Sequence, residues 1–343
     1  MRILVTGTEG YIGSLLAPML LERGHDVIGV DTGFYKTGWL YNASKWAART
    51  LNCDIRLLRE DDLDGAQAIV HMAELSNDPT GELAPRITDE INHKGSVRLA
   101  ELAKQRGVER FIYTSSCSVY GLAVGEMVDE ASPVNPQTIY AKSKVLVERA
   151  VSALADDGFS PVFLRNATAY GASPRMRFDL VLNNLAGFAW TTREIKVLSD
   201  GTPWRPLVHV RDICKAIICA LEAPRETVHN KFFNVGDSTS NYQIREIAEI
   251  VGGVFRGSRI SFGQPSADNR SYRVSFDRIN RELGGFCCDW DVEKGARELF
   301  DMFGRIAMSE EMFQASPFTR LKMLKYLLQT KQIDENFYWT YGK

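Results

Sequence analysis

The feature that most constrains this fold lies at its start. The apolar run Ile3-Leu-Val-Thr6 is followed at once by Gly7, Gly10 and Gly13, a Gly-x-x-Gly-x-x-Gly spacing with Tyr11 and Ile12 inside it. A short apolar run bounded by glycine reads as a buried strand. The glycines allow a sharp turn and let a phosphate approach the amides that open the next helix. A helix over about 11–23, ended by Gly24, and a strand over Asp26–Val30 complete a strand–turn–helix–strand unit. Asp31 ends that second strand, where a carboxylate accepts hydrogen bonds from an adenosine ribose and repels a 2′-phosphate. A glycine triplet alone equally serves a tight connection. The ordered context favours a dinucleotide site, and Asp31 favours NAD over NADP.

The alternation continues. Strands are expected over Ala68–Met72, Arg110–Thr114 and Pro161–Leu164, with helices over about 87–106 and 138–156. Short strands alternating with helices predict an α/β fold, a Rossmann-type doubly wound parallel sheet. Beyond about Asn166 the pattern loosens into Gly/Pro-containing loops, which predicts a smaller mixed α/β substrate-binding lobe. The expected division is a nucleotide-binding domain over 1–166, a substrate lobe over 167–290, with the chain free to cross between them, and a helical extension over 291–343. The segment Thr32–Ala48 fits no regular element. Asp54 and Ile55 follow a third strand and are placed to meet adenine; Met72 and Ala73, in Val70-His-Met-Ala73, line the nicotinamide side. His71 reads as a packed structural histidine.

Tyr140 and Lys144, in Tyr140-Ala-Lys-Ser-Lys144, carry the chemistry. Four residues apart on a helix, they share a face. An ammonium beside a phenol lowers the phenol's pKa and makes it a general base at a carbinol. A phenol titrates near ~10, so reaching neutral pH takes about 4 kcal/mol, more than one exposed pair supplies; an oxidised nicotinamide is a second cation.

Other classes are disfavoured. The net charge of −2 over 343 residues gives no reason to expect nucleic acid or a membrane surface as partner. The six cysteines form no paired Cys-x-x-Cys pattern, so no metal site is expected and the compartment is read as reducing and cytoplasmic.

Taken in order, the glycine triplet, Asp31, Asp54-Ile55, Ser116-Cys-Ser-Val-Tyr-Gly121 and Tyr140-x-x-x-Lys144 resemble the extended short-chain dehydrogenase/reductase family, in its nucleotide-sugar epimerase and dehydratase branch. The resemblance spans about residues 1–290. It implies that Tyr140, Lys144 and Ser116 are catalytic, that Lys144 also holds the nicotinamide ribose, and that Asn92 is a helix residue beneath the site. It implies an epimerase working through a transient keto-sugar with NAD regenerated; a nucleotide-sugar ketoreductase or dehydrogenase shares every residue named, and a dehydratase is less favoured. Dehydratases of this family carry Asp-Glu after the catalytic Ser or Thr, where this chain has Cys117 and Ser118. The substrate implied is a nucleotide-diphosphate sugar, with Ser116, Thr168, Asn183, Arg205 and Arg270 as its contacts; Asn184, Arg175 and Arg177 are further candidates. Arginine suits diphosphate because its planar fork offers paired donors. Thr168 stands where the family often has asparagine, and Asn166 lies two residues earlier. The segment Leu75-Ser-Asn-Asp-Pro79 departs from the loop expected of a UDP-galactose epimerase. The resemblance also implies a homodimer paired through the 87–106 and 138–156 helices.

Overall fold

The computed structural model describes residues 1–42, 48–122, 127–264 and 271–340. Six strands form in the first half: β1 (Arg2–Thr6), β2 (Asp26–Asp31), β3 (Arg49–Asn52), β4 (Ala68–His71), β5 (Arg110–Ser116) and β6 (Ser160–Asn166). Beyond them come β7 (Thr168–Tyr170), β8 (Glu194–Val197), β9 (Trp204–His209), β10 (Lys231–Val235), β11 (Asn241–Gln243) and β12 (Arg259–Phe262). A seven-stranded sheet runs β10-β6-β5-β4-β1-β2-β3, and every pairing in it is parallel. Strands β4 and β6 are buried along their whole length, as expected for a sheet covered on both faces. The strand order reverses between β1 and β4, where a doubly wound sheet opens its binding crevice.

The 87–106 helix forms in three joined pieces: Pro85–Thr88, a π-helical stretch Asp89–Gly95, and Ser96–Gln105. Widened turns of this kind often sit at functional sites. Here the Ser96 hydroxyl donates to the Asn92 carbonyl (2.6 Å), and the Asn92 amide bonds Leu75 N (2.8 Å) and Leu75 O (3.1 Å). The bulge thus clamps the loop leaving β4.

The second lobe holds two small sheets, β11-β9-β7 and β12-β8, against helices Val181–Thr192, Ile244–Val254 and Val292–Arg305. Strand β10 returns to the large sheet, and helix Val210–Glu222 packs on helix Gly13–Glu22. The C-terminal stretch is divided. Helix Val292–Arg305 packs with the second lobe, whereas Met323, Leu324, Leu327, Ile333 and Phe337 join Leu4, Val30, Phe34 and Ile55 in the nucleotide-lobe core. No helix among the described residues is long and apolar enough to cross a membrane.

Candidate active site

The crevice at the strand reversal is open to solvent and spans about 940 Å³ of empty space. It is lined by Gly7, Gly10, Tyr11, Ile12, Gly13, Asp31, Asp54, Ile55, Met72 and Ala73, and also by Glu74, Ser76, Arg177 and Arg320. Gly7 has φ +78°, and a Cβ there would press on the Met72–Ala73 backbone (3.2 Å). A Cβ at Gly13 would run into the Gly7 carbonyl and lie 2.6 Å from Thr8 Cα. Both glycines are therefore required by close backbone approach, which shapes a cradle for a pyrophosphate. The Asp31 carboxylate accepts from Glu9 N (3.0 Å) and Gly33 N (2.8 Å), and burial raises its pKa. The Asp54 carboxylate is already engaged: Arg56 donates to it from Nε (3.0 Å), Nη2 (2.7 Å) and its backbone amide (2.8 Å). Ile55 is buried and supplies the apolar wall.

Tyr140 and Lys144 occupy helix Ile139–Ser152, whose N-cap Thr138 accepts from Ala141 N (3.2 Å) and donates to Asp78 (2.6 Å). The unusual Leu75–Pro79 segment therefore braces the start of this helix: Asn77 caps helix Asp78–Leu83, and its amide donates to Asp179 (2.6 Å). The Lys144 ammonium lies 5.5 Å from the Tyr140 ring and donates to the Thr114 carbonyl (2.5 Å). It also pairs with Glu74 at 2.7 Å, a contact the sequence reading missed. The Glu74 side chain is 2% exposed and accepts from the Tyr113 hydroxyl (2.6 Å). Burial opposes the Lys144 charge, yet Glu74 and then Tyr140 hold the ammonium above its ordinary value. Burial raises the Tyr140 phenol; Lys144 pulls it down, and Glu74 pushes it back up.

Ser116 ends β5 directly opposite Asn166 on β6, and its hydroxyl accepts from Ser118 N (3.1 Å). Cys117 is buried, its thiol pushed up by desolvation and donating to the Arg165 carbonyl (3.2 Å). One turn past Lys144, buried Glu148 accepts from Ser115 (2.6 Å) and from Arg165 through Nε (2.9 Å) and Nη2 (2.8 Å). This fixes helix Ile139–Ser152 against β5 and β6.

His71 is fully buried between Thr6 Oγ1 and Ser96 Oγ, each at 2.7 Å. Thr6 already accepts from Met72 N and Ala73 N, so its hydroxyl donates to His71 Nδ1, and the proton sits on Nε2. Burial and then Lys144 lower its pKa to about 3, leaving it neutral.

On the substrate side, the candidates separate. Asn183 is fully buried and spends its amide on Gly171 N (2.9 Å), Arg177 O (3.0 Å) and the Tyr11 hydroxyl (3.3 Å), bracing the loop after β7. Its neighbour Asn184 instead lines a second cleft together with Arg205, Leu198, Ser199 and Ile244. Thr168 opens β7, half-buried. Arg175 turns away to the Tyr35 carbonyl (3.1 Å) and Glu9 (3.3 Å), and Arg177, which lines the crevice, pairs with Asp179 through Nε (3.0 Å) and Nη2 (2.9 Å). Arg270 lies outside the described residues. Among the described residues no group of His, Cys, Asp and Glu side chains is arranged to hold a metal.

The model of the NAD dependent epimerase/dehydratase family matches residues 3–236. The chain belongs to that family. It is an NAD-dependent enzyme, and the glycine cradle, Asp31 and the apolar wall fit the cofactor. The human UDP-glucose 4-epimerase is 30% identical over 284 residues, covering 73% of this chain and 81% of the relative. A putative UDP-glucose 4-epimerase of Methanocaldococcus jannaschii is 28% identical, covering 87% and 96%. Among solved structures, MoeE5 in complex with UDP-glucose and NAD superimposes with a TM-score of 0.77 at 26% identity, covering 90% of this chain and all of that one.

Proposed function

We propose that the chain is a nucleotide-sugar epimerase acting at a ring carbinol of a UDP-hexose while keeping its NAD bound. The observation that carries this is the Tyr140–Lys144 pair on one helical face beside a glycine-cradled cleft. The Gly7–Gly13 turn, Asp31 and Ile55 would hold NAD, which would supply reversible hydride transfer at the carbinol carbon. Tyr140 receives the hydroxyl proton and later returns it. Lys144 favours the phenolate through its charge, and the Ser116 hydroxyl holds the reacting oxygen. Asn184 and Arg205, on the second cleft, are the candidates for the nucleotide diphosphate, with Thr168 on β7 closer to the sugar. UDP is the carrier favoured by the names of the relatives.

Loss of water from the sugar lacks its acid and base, because Cys117 and Ser118 stand at those positions and the Cys117 thiol is held protonated. The same reading pairs two copies through helices Ser96–Gln105 and Ile139–Ser152, the second of which exposes Leu146. A monomeric mass at micromolar concentration would overturn that part.

The test is incubation of the purified protein with UDP-glucose and no added cofactor. Appearance of the C4 epimer, abolished in Tyr140→Phe, supports the proposal. Turnover that occurs only with added NADH and a keto-sugar would replace it with a reductase.

A further inference from the structure

The helix Arg320–Gln329 brings a buried guanidinium to the cofactor cleft from the far end of the chain. Arg320 is 3% exposed. Its guanidinium lies 3.9 Å from the Tyr35 ring centroid and donates to the Pro317 carbonyl (3.3 Å). Among the described residues no carboxylate comes within 4.0 Å of it. The neighbouring arginines are provided for: Arg177 has Asp179, and Arg175 has Glu9. Asp31, the other carboxylate facing Arg320, is occupied by two backbone amides at the ribose end. A guanidinium has five donors, and a desolvated cation with one carbonyl partner calls for an anion.

We propose that Arg320 is a ligand of the cofactor's diphosphate, so that the C-terminal segment is part of the NAD site. A dinucleotide diphosphate brings two negative charges to the Gly7–Gly13 turn, which lines the same cleft, and its oxygens match the guanidinium fork. The segment is anchored independently of Arg320. Trp339 Nε1 donates to the Thr32 carbonyl (2.6 Å), Arg56 donates to the Asn336 carbonyl (3.0 Å), and Arg56 stacks on Tyr338 at 4.0 Å. It therefore packs against the strand ends and turn that hold Asp31 and Asp54. Retained NAD is what an epimerase requires. The inference rests on the NAD assignment and not on which sugar is turned over.

The experiment compares wild type with Arg320→Met and Arg320→Lys. Three quantities are read: NAD content after gel filtration, affinity of cofactor-stripped protein for ADP-ribose and for adenosine, and the melting temperature without ligand. Arg320→Met is expected to weaken ADP-ribose roughly tenfold to hundredfold and adenosine by less than about twofold, with Arg320→Lys between. Its ligand-free melting temperature should equal or exceed that of wild type, because an unpaired buried charge has been removed. Equal loss of both ligands, or unchanged ADP-ribose affinity, would overturn the proposal. A wild-type protein that bound neither ligand would instead overturn the NAD assignment beneath it.

Discussion

Glu74→Gln separates the electrostatics of the site from its architecture. Glutamine keeps the shape and an oxygen acceptor for the Tyr113 hydroxyl, but removes the negative charge 2.7 Å from Lys144. With Lys144 5.5 Å from the Tyr140 ring, the Glu74 carboxylate is within roughly 8 Å of the phenol. At an effective dielectric near 20, a unit charge at that distance contributes about 2 kcal/mol at most, before solvent screening. The sign follows from Glu74 raising the Tyr140 pKa: without it, the phenolate forms at lower pH. The acid limb of kcat/KM against pH should move to lower pH. Folding stability should fall by about 3 kcal/mol, because a buried pair has lost one member. Both are measurable on one preparation, by a pH series of initial rates and by denaturant unfolding. An acid limb that stayed in place, or moved up, would refute the argument that the Glu74 charge raises the Tyr140 pKa.

Other outcomes follow from the same geometry. Tyr140→Phe should lower kcat by about 10²- to 10⁴-fold while bound NAD and the melting temperature stay near wild type, read by rate assay, absorbance and thermal melt. Gly13→Ala forces a Cβ into the Gly7 carbonyl, so the protein should purify without NAD and lose about 2–3 kcal/mol, measured by cofactor content and urea unfolding. Glu148→Ala leaves Arg165 buried and unpaired and should cost about 3–5 kcal/mol in the same unfolding assay. His71 has its folded pKa lowered to about 3, so the unfolded chain binds a proton below its ordinary value near 6.5 that the folded protein refuses. Stability should therefore fall as pH drops from about 6.5 toward 3, by up to about 1.4 kcal/mol per pH unit from this residue, and His71→Asn should flatten that slope.

What the sequence displayed is local. The glycine cradle, Asp31 and the Tyr140–Lys144 face each lie within one turn or one helix, so spacing alone exposes them. Glu74 depends on a contact with Lys144, 70 residues on, and Arg320 on one with Tyr35, 285 residues back, and no spacing rule announces either. Glu74 follows directly on Ala73, at the mouth of the crevice, and that position was its one available signal. Asn183 and Asn184 illustrate a different limit. Adjacent helical residues point about 100° apart, so an offset of one residue exchanges a buried brace for a cleft-lining amide. Asp54 was legible as a pocket residue, but its engagement by Arg56 two residues on was not, because that pairing depends on the short helical turn Ile55–Leu57. The 291–343 stretch read as one helical extension, whereas which lobe each helix covers is decided by packing.

The most direct test of the central claim is the fate of a deuterium at C4 of UDP-glucose during turnover without added cofactor. Hydride removal and return within one bound NAD predicts a C4 epimer that keeps its deuterium in full, with no label in the solvent and no free NADH. Loss of the label to water, or its recovery in a pool of dissociated cofactor, would contradict the account.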